Sequence, residues 1–584
     1  MNRIMKFLET DFLSLALAKY REIPKEYVRS FVIIFIAINV AFAYHTFSFM
    51  WGDHDWNLLI NSIDIHYVFE QMRFTNYIYV WFLVGNNVLP VLNNLYSFAA
   101  LAFSAVFLCI YWKVPKSTLC YSIIGILLCI QPYTLAWLQY AVFTLSLLCL
   151  PLFVIVAIIF SERAALCDKR WKVIAYLSCA VFLTTVAFGA YSAQINTIAV
   201  VFIGRLIIDV FRGEGGIFVI LKGVLFRQRY VFLTMVLSAL CYVIIILILK
   251  NNYAVNTTFH GMQTVNIKDF IPHLMNVSYE AFRILWHYTV SFFPKVLVRI
   301  WTSLFIVGVF AVIFNVWEGG RDKKTKIGKS IVLLILFASI IIFSKTAGII
   351  SSHPIALYDP RILFFGDAFL HIFPLTLIFL QRFNFPKTIA VLTGIILIGI
   401  CLIQDAKALK VWKFDFEAEK MFWNRVMTRV EENEDYNANK KYRLLFVGKP
   451  PSYARHYYGN KNRSDEEIKF AKKVGAPITI GMLRSYEKVH PMLAFSFFFP
   501  DLYKAQNVHA RYVGYPLLQN LRYRENHRLY KQAQPIKEIA LKLKTQINGM
   551  RAYPHKNSVL IKDGVIIIVF SESELKAVKK ILNK

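Results

Sequence analysis

The chain has 584 residues, 57% of them hydrophobic, and a mean hydropathy of +0.48. A soluble chain does not carry so many apolar runs of near-spanning length, since about 20 apolar residues suffice to cross roughly 30 Å of hydrocarbon as a helix. The formal net charge of +30 reads as basic loops and a basic soluble region beside an anionic membrane surface, and not as a nucleic-acid site.

Residues 1–28 are mixed and basic, and MKFLETDFLSLALAKY spaces its apolar residues as a helix lying on the cytoplasmic face. The first apolar run starts near residue 30 and lacks an A-x-A site, so no cleavable signal peptide is expected. Spanning runs follow at 30–50, 82–111, 119–137, 140–160, 173–193, 195–211, 231–250, 298–317, 331–349, 363–381 and 388–404. The expected fold class is a polytopic α-helical membrane protein of about 11 spans. The eight cysteines end at Cys401, which leaves the tail without a disulfide framework, and no pair has metal-ligand spacing.

With the N-terminus placed inside, the inner loops are KYREIPKEYVR, YWKVPKST, SERAALCDKRWK, FRGEGGIFVILKGVLFRQRY, GGRDKKTKIGK and QRFNFPK, all of them basic. The opposite loops are mostly poor in Lys and Arg, as the positive-inside rule requires. An odd number of spans then puts 405–584 outside, with loops 51–81, 251–297 and 350–362. The domains expected are an interfacial segment 1–28, a membrane domain 29–404 and an extracytoplasmic α/β domain 405–584. In that tail YRLLFVGKP reads as a buried strand and SDEEIKFAKKV as a helix. SVLIKDGVIIIVF reads as a hairpin turning at Asp563-Gly564, and SESELKAVKKILNK as a capped terminal helix.

Polar residues on the outer side form four clusters, and charge near membrane depth needs a reason. In WGDHDWNLLINSID, Asp53 and Asp55 open a segment with apolar residues at helical spacing, followed by Asp64, Glu70 and Arg73. One acid would serve as an N-cap of a surface helix, while a second is available as a carboxylate held beside the membrane. Asp53 and Asp55 could also chelate a divalent cation such as Mg or Mn, although two acids one residue apart are a weak metal pattern. AYSAQIN offers Tyr191, Gln194 and Asn196 to sugar hydroxyls, or merely polarity to a turn. SSHPIALYDPRILFF holds His353, Tyr358, Asp359 and Arg361, the strong cation of its loop, and an arginine fork suits a phosphate at head-group level. Loop 251–297 adds Lys268, His273, Arg283 and His287 among aromatic residues.

Taken in order, these segments resemble the phage-type, serotype-converting O-antigen glucosyltransferases (GtrII-like), a family of multi-span GT-C-like enzymes. The family's acidic pair after the first span looks like His54-Asp55, and its Gly-Arg some twenty residues on looks like Met72-Arg73. Its aromatic-Gln turn looks like Tyr191 to Asn196, and its Pro-Arg before a late span like Pro360-Arg361. Its end-of-membrane signature looks like NRVMTRVEENEDYNANKKYRLLFVGK and its closing segment like RAYPHKNSVLIKDGVIIIVF. Two positions depart from that pattern: His54 stands for the first acid, and Met72 for the glycine.

The resemblance implies a GT-C-like membrane glycosyltransferase. It would move glucose from a polyprenyl-phosphate carrier to a lipopolysaccharide O-antigen repeat, with a carrier-glucose synthase and a flippase as partners beside the membrane lipids. Asp55, with Asp53 in reserve, would be the catalytic base. Arg361, Arg73, Lys268 and Arg283 would bind the donor phosphate. Glu70, Tyr191, Gln194, Asn196, His353, Tyr358 and Asp359 would contact substrate. Two other readings stay open: a mannosyl or arabinosyl transferase of the same architecture, and a lipid or polysaccharide transporter. A transporter should show buried charge mid-span or inverted repeats, whereas the polar groups read here gather at one face.

Overall fold

The structure, a computed structural model, describes residues 22–48, 72–79, 89–138, 144–253, 265–286, 295–318, 322–351, 357, 360–381, 384–437, 443–447, 543–573, 575–576 and 579. The chain opens with α1 (Lys25–Ala41), α2 (Ala43–Phe47) and the short α3 (Phe74–Ile78). Then come α4 (Pro90–Tyr111), α5 (Thr118–Cys129), α6 (Pro132–Leu138), α7 (Thr144–Leu148), α8 (Leu150–Ala165), α9 (Arg170–Ala190) and α10 (Gln194–Arg212). The bundle is completed by α11 (Ile217–Tyr253), α12 (Phe270–Trp286), α13 (Lys295–Glu318), α14 (Lys323–Phe343), α15 (Thr346–Ile350), α16 (Pro360–Phe379) and α17 (Asn384–Glu431).

Among the described residues nine helices are long and apolar enough to cross a membrane, and a tenth span results if the bent pair α5 and α6 is one crossing. Two features account for the difference from the eleven runs of the sequence. The first run gives α1, which is 17 residues long and short for a crossing. The third is broken, because Pro132 has no N–H to continue the helix and disfavours helical geometry in Gln131; α5 and α6 meet at 50°. The carbonyl of Cys129 freed there accepts from Thr134 Oγ1 at 2.8 Å.

Helix starts are set by local chemistry. Ser117 caps α5, accepting from the Cys120 amide, and Pro90 stands in the first turn of α4, where a missing N–H costs nothing. Asp322 caps α14 by accepting from Thr325, and that hydrogen bonding holds its carboxyl below the usual carboxylate range. Two expected boundaries move. The basic stretch after Phe211 is loop only as far as Gly216, since α11 begins at Ile217. At the other end of the membrane region α17 runs through residue 405 without a break for 48 residues, about 72 Å at 1.5 Å per residue.

The apolar stretch of α16 is buried along its whole length, against α5, α6, α10, α13 and α17. By contrast α11 exposes Val236, Leu240, Val243, Ile244, Leu247 and Ile248, the surface a lipid-facing helix presents. At one end of the bundle the six basic loops of the sequence come together. Ser30 Oγ donates to the Thr118 carbonyl, Lys113 pairs with Asp209 at 2.8 Å, Tyr111 donates to Glu162, and Lys329 caps the Phe211 and Gly213 carbonyls. Arg205, buried at that end, binds Asp209 at 3.1 Å and the Tyr111 carbonyl, and Arg227 reaches Asp209 at 3.4 Å. Asn315 bonds Gln381 there as well.

Beyond α17 the described tail is a three-stranded sheet, ordered β1 (Arg443–Val447), β3 (Val565–Val569), β2 (Val559–Lys562). β1 pairs with β3 in parallel and β2 with β3 antiparallel. The β2–β3 hairpin turns at Asp563 (φ 51°) and Gly564 (φ 74°), both left-handed as a tight two-residue turn requires. Ile567 and Val569 pack with Leu543, Ile547, Met550 and Leu575, where α18 (Lys544–Asn548) lies. The segment SDEEIKFAKKV lies outside the described residues.

Small residues permit the closest helix contact. A Cβ added at Gly366 of α16 would collide with the Ser344 carbonyl oxygen, whereas one added at Gly399 of α17 would meet nothing within 4 Å. Gly366→Ala should therefore lower the melting temperature of the purified protein, by the equivalent of about 1–3 kcal/mol. Gly399→Ala should hold or raise it.

Candidate functional site

The opposite end of the bundle is organised by the segment that follows the undescribed residues 49–71. Met72 has φ 57°, a left-handed conformation that glycine adopts freely and that costs other residues about 1–2 kcal/mol. This is the residue that stands where the resemblance read from the sequence expected a glycine. The turn is held regardless of the side chain, because Tyr242 of α11 donates to the Met72 carbonyl at 3.4 Å. Directly after it, α3 docks on the end of α9 and satisfies the Ala190 carbonyl, one of those that a helix end leaves unpaired. Thr75 Oγ1 donates to Val186 O at 2.9 Å and Asn76 Nδ2 to Ala190 O at 3.0 Å. Phe74 fits because residue 189 is glycine: a Cβ there would collide with the Phe74 ring.

These tethers lay Arg73 over the ring of Tyr191, with its guanidinium carbon 4.7 Å from the ring centroid. Among the described residues Arg73 makes no salt bridge, and the contact that holds its guanidinium is the face of a ring. Tyr191 in turn packs edge-on against Trp137 at 5.2 Å and against Phe365 of α16 at 5.6 Å. Arg361 stands four residues before Phe365 on the same helix, hence on the same face and about 6 Å away along it. The chain Arg73–Tyr191–Phe365 thus brings the two arginines to one end of the bundle, opposite the basic loops. Arg361 is half-buried in the first turn of α16.

The other residues singled out in the sequence have varied surroundings. The Asn196 amide is engaged by backbone: Oδ1 accepts from Ala347 N at 2.7 Å and Nδ2 donates to Ile362 O at 3.5 Å. The amide of Gln194 is buried, and among the described residues neither of its polar atoms has a partner. A buried amide without partners is costly, which leaves Gln194 able to receive a ligand hydroxyl. Arg283 is paired with Glu280 of its own helix at 2.6 Å. Lys268 is exposed on a short 3-10 turn, and His273 Nε2 donates to the Gly348 carbonyl at 2.7 Å. Asp53, Asp55, Asp64, Glu70, His287, His353, Tyr358 and Asp359 lie outside the described residues. Among the described residues no three His, Cys, Asp or Glu side chains are grouped to hold a metal ion.

A feature that the loop-by-loop reading passed over lies just inside this end. Lys345 Nζ contacts both carboxylate oxygens of Asp367, at 2.6 and 2.5 Å, with both side chains buried. Tyr133 and Ser344 each donate to the same carboxylate at 3.4 Å. His371, one turn further along α16, stacks on Trp301 at 5.2 Å. The signal was present, since Lys345 and Asp367 interrupt the apolar runs 331–349 and 363–381. Together with Arg205 and Asp209, they place buried charge near both ends of the bundle. The gathering of polar groups at one face therefore does not weigh against transport as the sequence suggested. On the turn before Arg73, Met72→Gly should hold or raise the melting temperature, by up to about 1 kcal/mol in stability. Met72→Val, branched where φ is positive, should lower it.

A family profile described as Glucosyl transferase GtrII matches residues 55–358, just over half of the chain. The matched stretch takes in Arg73, the turn from Tyr191 to Asn196, and Lys345, and it stops just short of Arg361. No curated protein and no solved structure matches the chain. Its many apolar helices make it a membrane protein, and on the extent of the profile match the chain belongs to the GtrII glucosyl transferase family.

Proposed function

We propose that the chain transfers glucose from a polyprenyl-phosphate carrier to a sugar hydroxyl of a lipopolysaccharide O-antigen repeat. The reaction would take place at the periplasmic face of the bacterial inner membrane. Family membership supports glucosyl transfer. The observation that supports the donor assignment is the placement of Arg73 and Arg361 at one end of the bundle, on elements joined through Tyr191 and Phe365. A lipid-linked phosphate leaves from head-group depth, and two guanidinium groups there are what its developing charge needs. The periplasmic direction draws support from the loop charges, because the basic loops gather at the other end. With that direction the N-terminus is cytoplasmic and the sheet-bearing tail periplasmic.

In this reading the acceptor oxygen forms a bond to glucose C1 as the bond from C1 to the phosphate oxygen breaks. The electron pair leaves with the phosphate, stabilised by Arg361 and Arg73, with Lys268 and Arg283 as further cations of that face. The acceptor proton passes to Asp55, or to Asp53 in its place. Gln194 receives a sugar hydroxyl, and Glu70, Tyr191, Asn196, His353, Tyr358 and Asp359 complete the surroundings of the two substrates. A carrier-glucose synthase and a flippase would supply the donor on the correct face. No step requires a metal, so transfer should survive EDTA; loss restored by Mg²⁺ would point to a cation held by Asp53 and Asp55.

The test is mass spectrometry of O-antigen from host cells expressing each variant. Asp55→Asn should cut hexose addition by about 10²–10⁴-fold and Arg361→Ala by about 10²–10³-fold, while Asp64→Asn should leave it near wild type. Full hexose addition by both of the first two variants would remove the catalytic assignment. An unchanged glycan after deletion of the whole gene would remove the proposed function.

A further inference from the structure

Lys345 and Asp367 stand 22 residues apart in the chain, and Arg361 lies in the loop that their contact closes. The near side of that loop is tied down at nearly every residue. Lys345 immediately precedes α15. The Ala347 amide donates to Asn196, the Gly348 carbonyl accepts from His273, and the Ile350 carbonyl accepts from the Val265 amide at 3.2 Å. Helices α10 and α12 and the segment at Val265 thus hold one five-residue helix. On the far side Asp367 receives donors from three directions: the lysine, the Ser344 hydroxyl and the Tyr133 hydroxyl of α6. Gly366 lets the α16 backbone press against the Ser344 carbonyl at the same place.

A buried ion pair is weak ground for stability, because well-packed apolar side chains of like size commonly do as well. What such a pair adds is geometry: the ammonium contacts both carboxylate oxygens, and a buried charge that loses its partner has nowhere else to go. Here that geometry is applied to both roots of the loop carrying Arg361. We propose that the Lys345–Asp367 pair is a positioning device that fixes Arg361 for the donor phosphate, an inference that rests on the function proposed above. Neither residue touches the donor. They act through the first turns of α16, which carry both Arg361 and Asp367.

The decisive variant is the double replacement Lys345→Met with Asp367→Leu in the full-length protein, which removes both charges and leaves neither stranded. It should express and melt like wild type. Hydrogen exchange should rise in 344–364 and nowhere else in the bundle. The KM for the lipid-linked glucose donor should rise tenfold or more with the acceptor KM unchanged. In an Arg361→Ala background the same double replacement should add less than twofold to the loss, because a device that works through Arg361 has nothing left to position. Wild-type exchange in 344–364 would overturn the proposal, and so would a loss that multiplies fully with Arg361→Ala. The exchange measurement does not depend on the reaction. A wild-type protein that transfers no glucose would therefore defeat the proposed function, while raised exchange in the double variant would still uphold the positioning of the loop.

Discussion

Every polar group inside this bundle must find its partner within the protein, because the surrounding lipid offers none. That constraint shapes both ends of the molecule. Near the basic loops, Arg205 is buried and its charge is met by Asp209 and Glu162, while Lys113 and Arg227 approach the same aspartate. These pairs join α4, α8, α10 and α11, so the helix ends on that side are locked by charge as well as by packing. At the other end Lys345 and Asp367 do the same for α6, the turn before α15, and α16. Removing Lys345 or Asp367 alone would strand a buried charge at a cost of about 3–5 kcal/mol, whereas the shared partners of Arg205 and Asp209 leave that network able to lose one outer member.

The placement of Arg73 shows how local backbone serves the same end. A left-handed Met72, a glycine at 189 and two side-chain bonds to the last carbonyls of α9 leave the arginine little choice but to lie on Tyr191. Met72 bears the strain that a glycine would avoid, and the Tyr242 hydroxyl holds the resulting turn. The turn is therefore held by its surroundings at a cost that a glycine would avoid.

The apolar runs were legible because a spanning helix is written in contiguous residues, and the hairpin at Asp563-Gly564 because its turn chemistry is local. What depended on distant residues was not. Lys345 and Asp367 each sit in an apolar run whose average hides one charge, and their meaning appears only when 22 residues of chain bring them together. Asn196 and His273 have the composition of ligand-binding residues, yet both bond the backbone around α15, a use that turn polarity cannot reveal. The break at Pro132 was readable in principle, but the run around it is apolar enough to pass as one span. The start of α11 was obscured by basic residues that a helix tolerates as well as a loop does.

The chemistry proposed for this face turns on which cations still have charge to offer. Arg283 is answered by Glu280, and Lys345 by Asp367, so a phosphate approaching either must compete with a carboxylate already in place. Arg73 is in a different state. Its described contact is the face of Tyr191, an attraction of about 0.5–2 kcal/mol that fixes the guanidinium plane without cancelling its charge. A cation held by a ring remains able to meet an anion, and one held by a carboxylate does so only by giving up its partner. The same end of the bundle thus divides its positive charges between two tasks: Lys345 is committed to a carboxylate, and Arg73, among the described residues, is kept in position by a ring face.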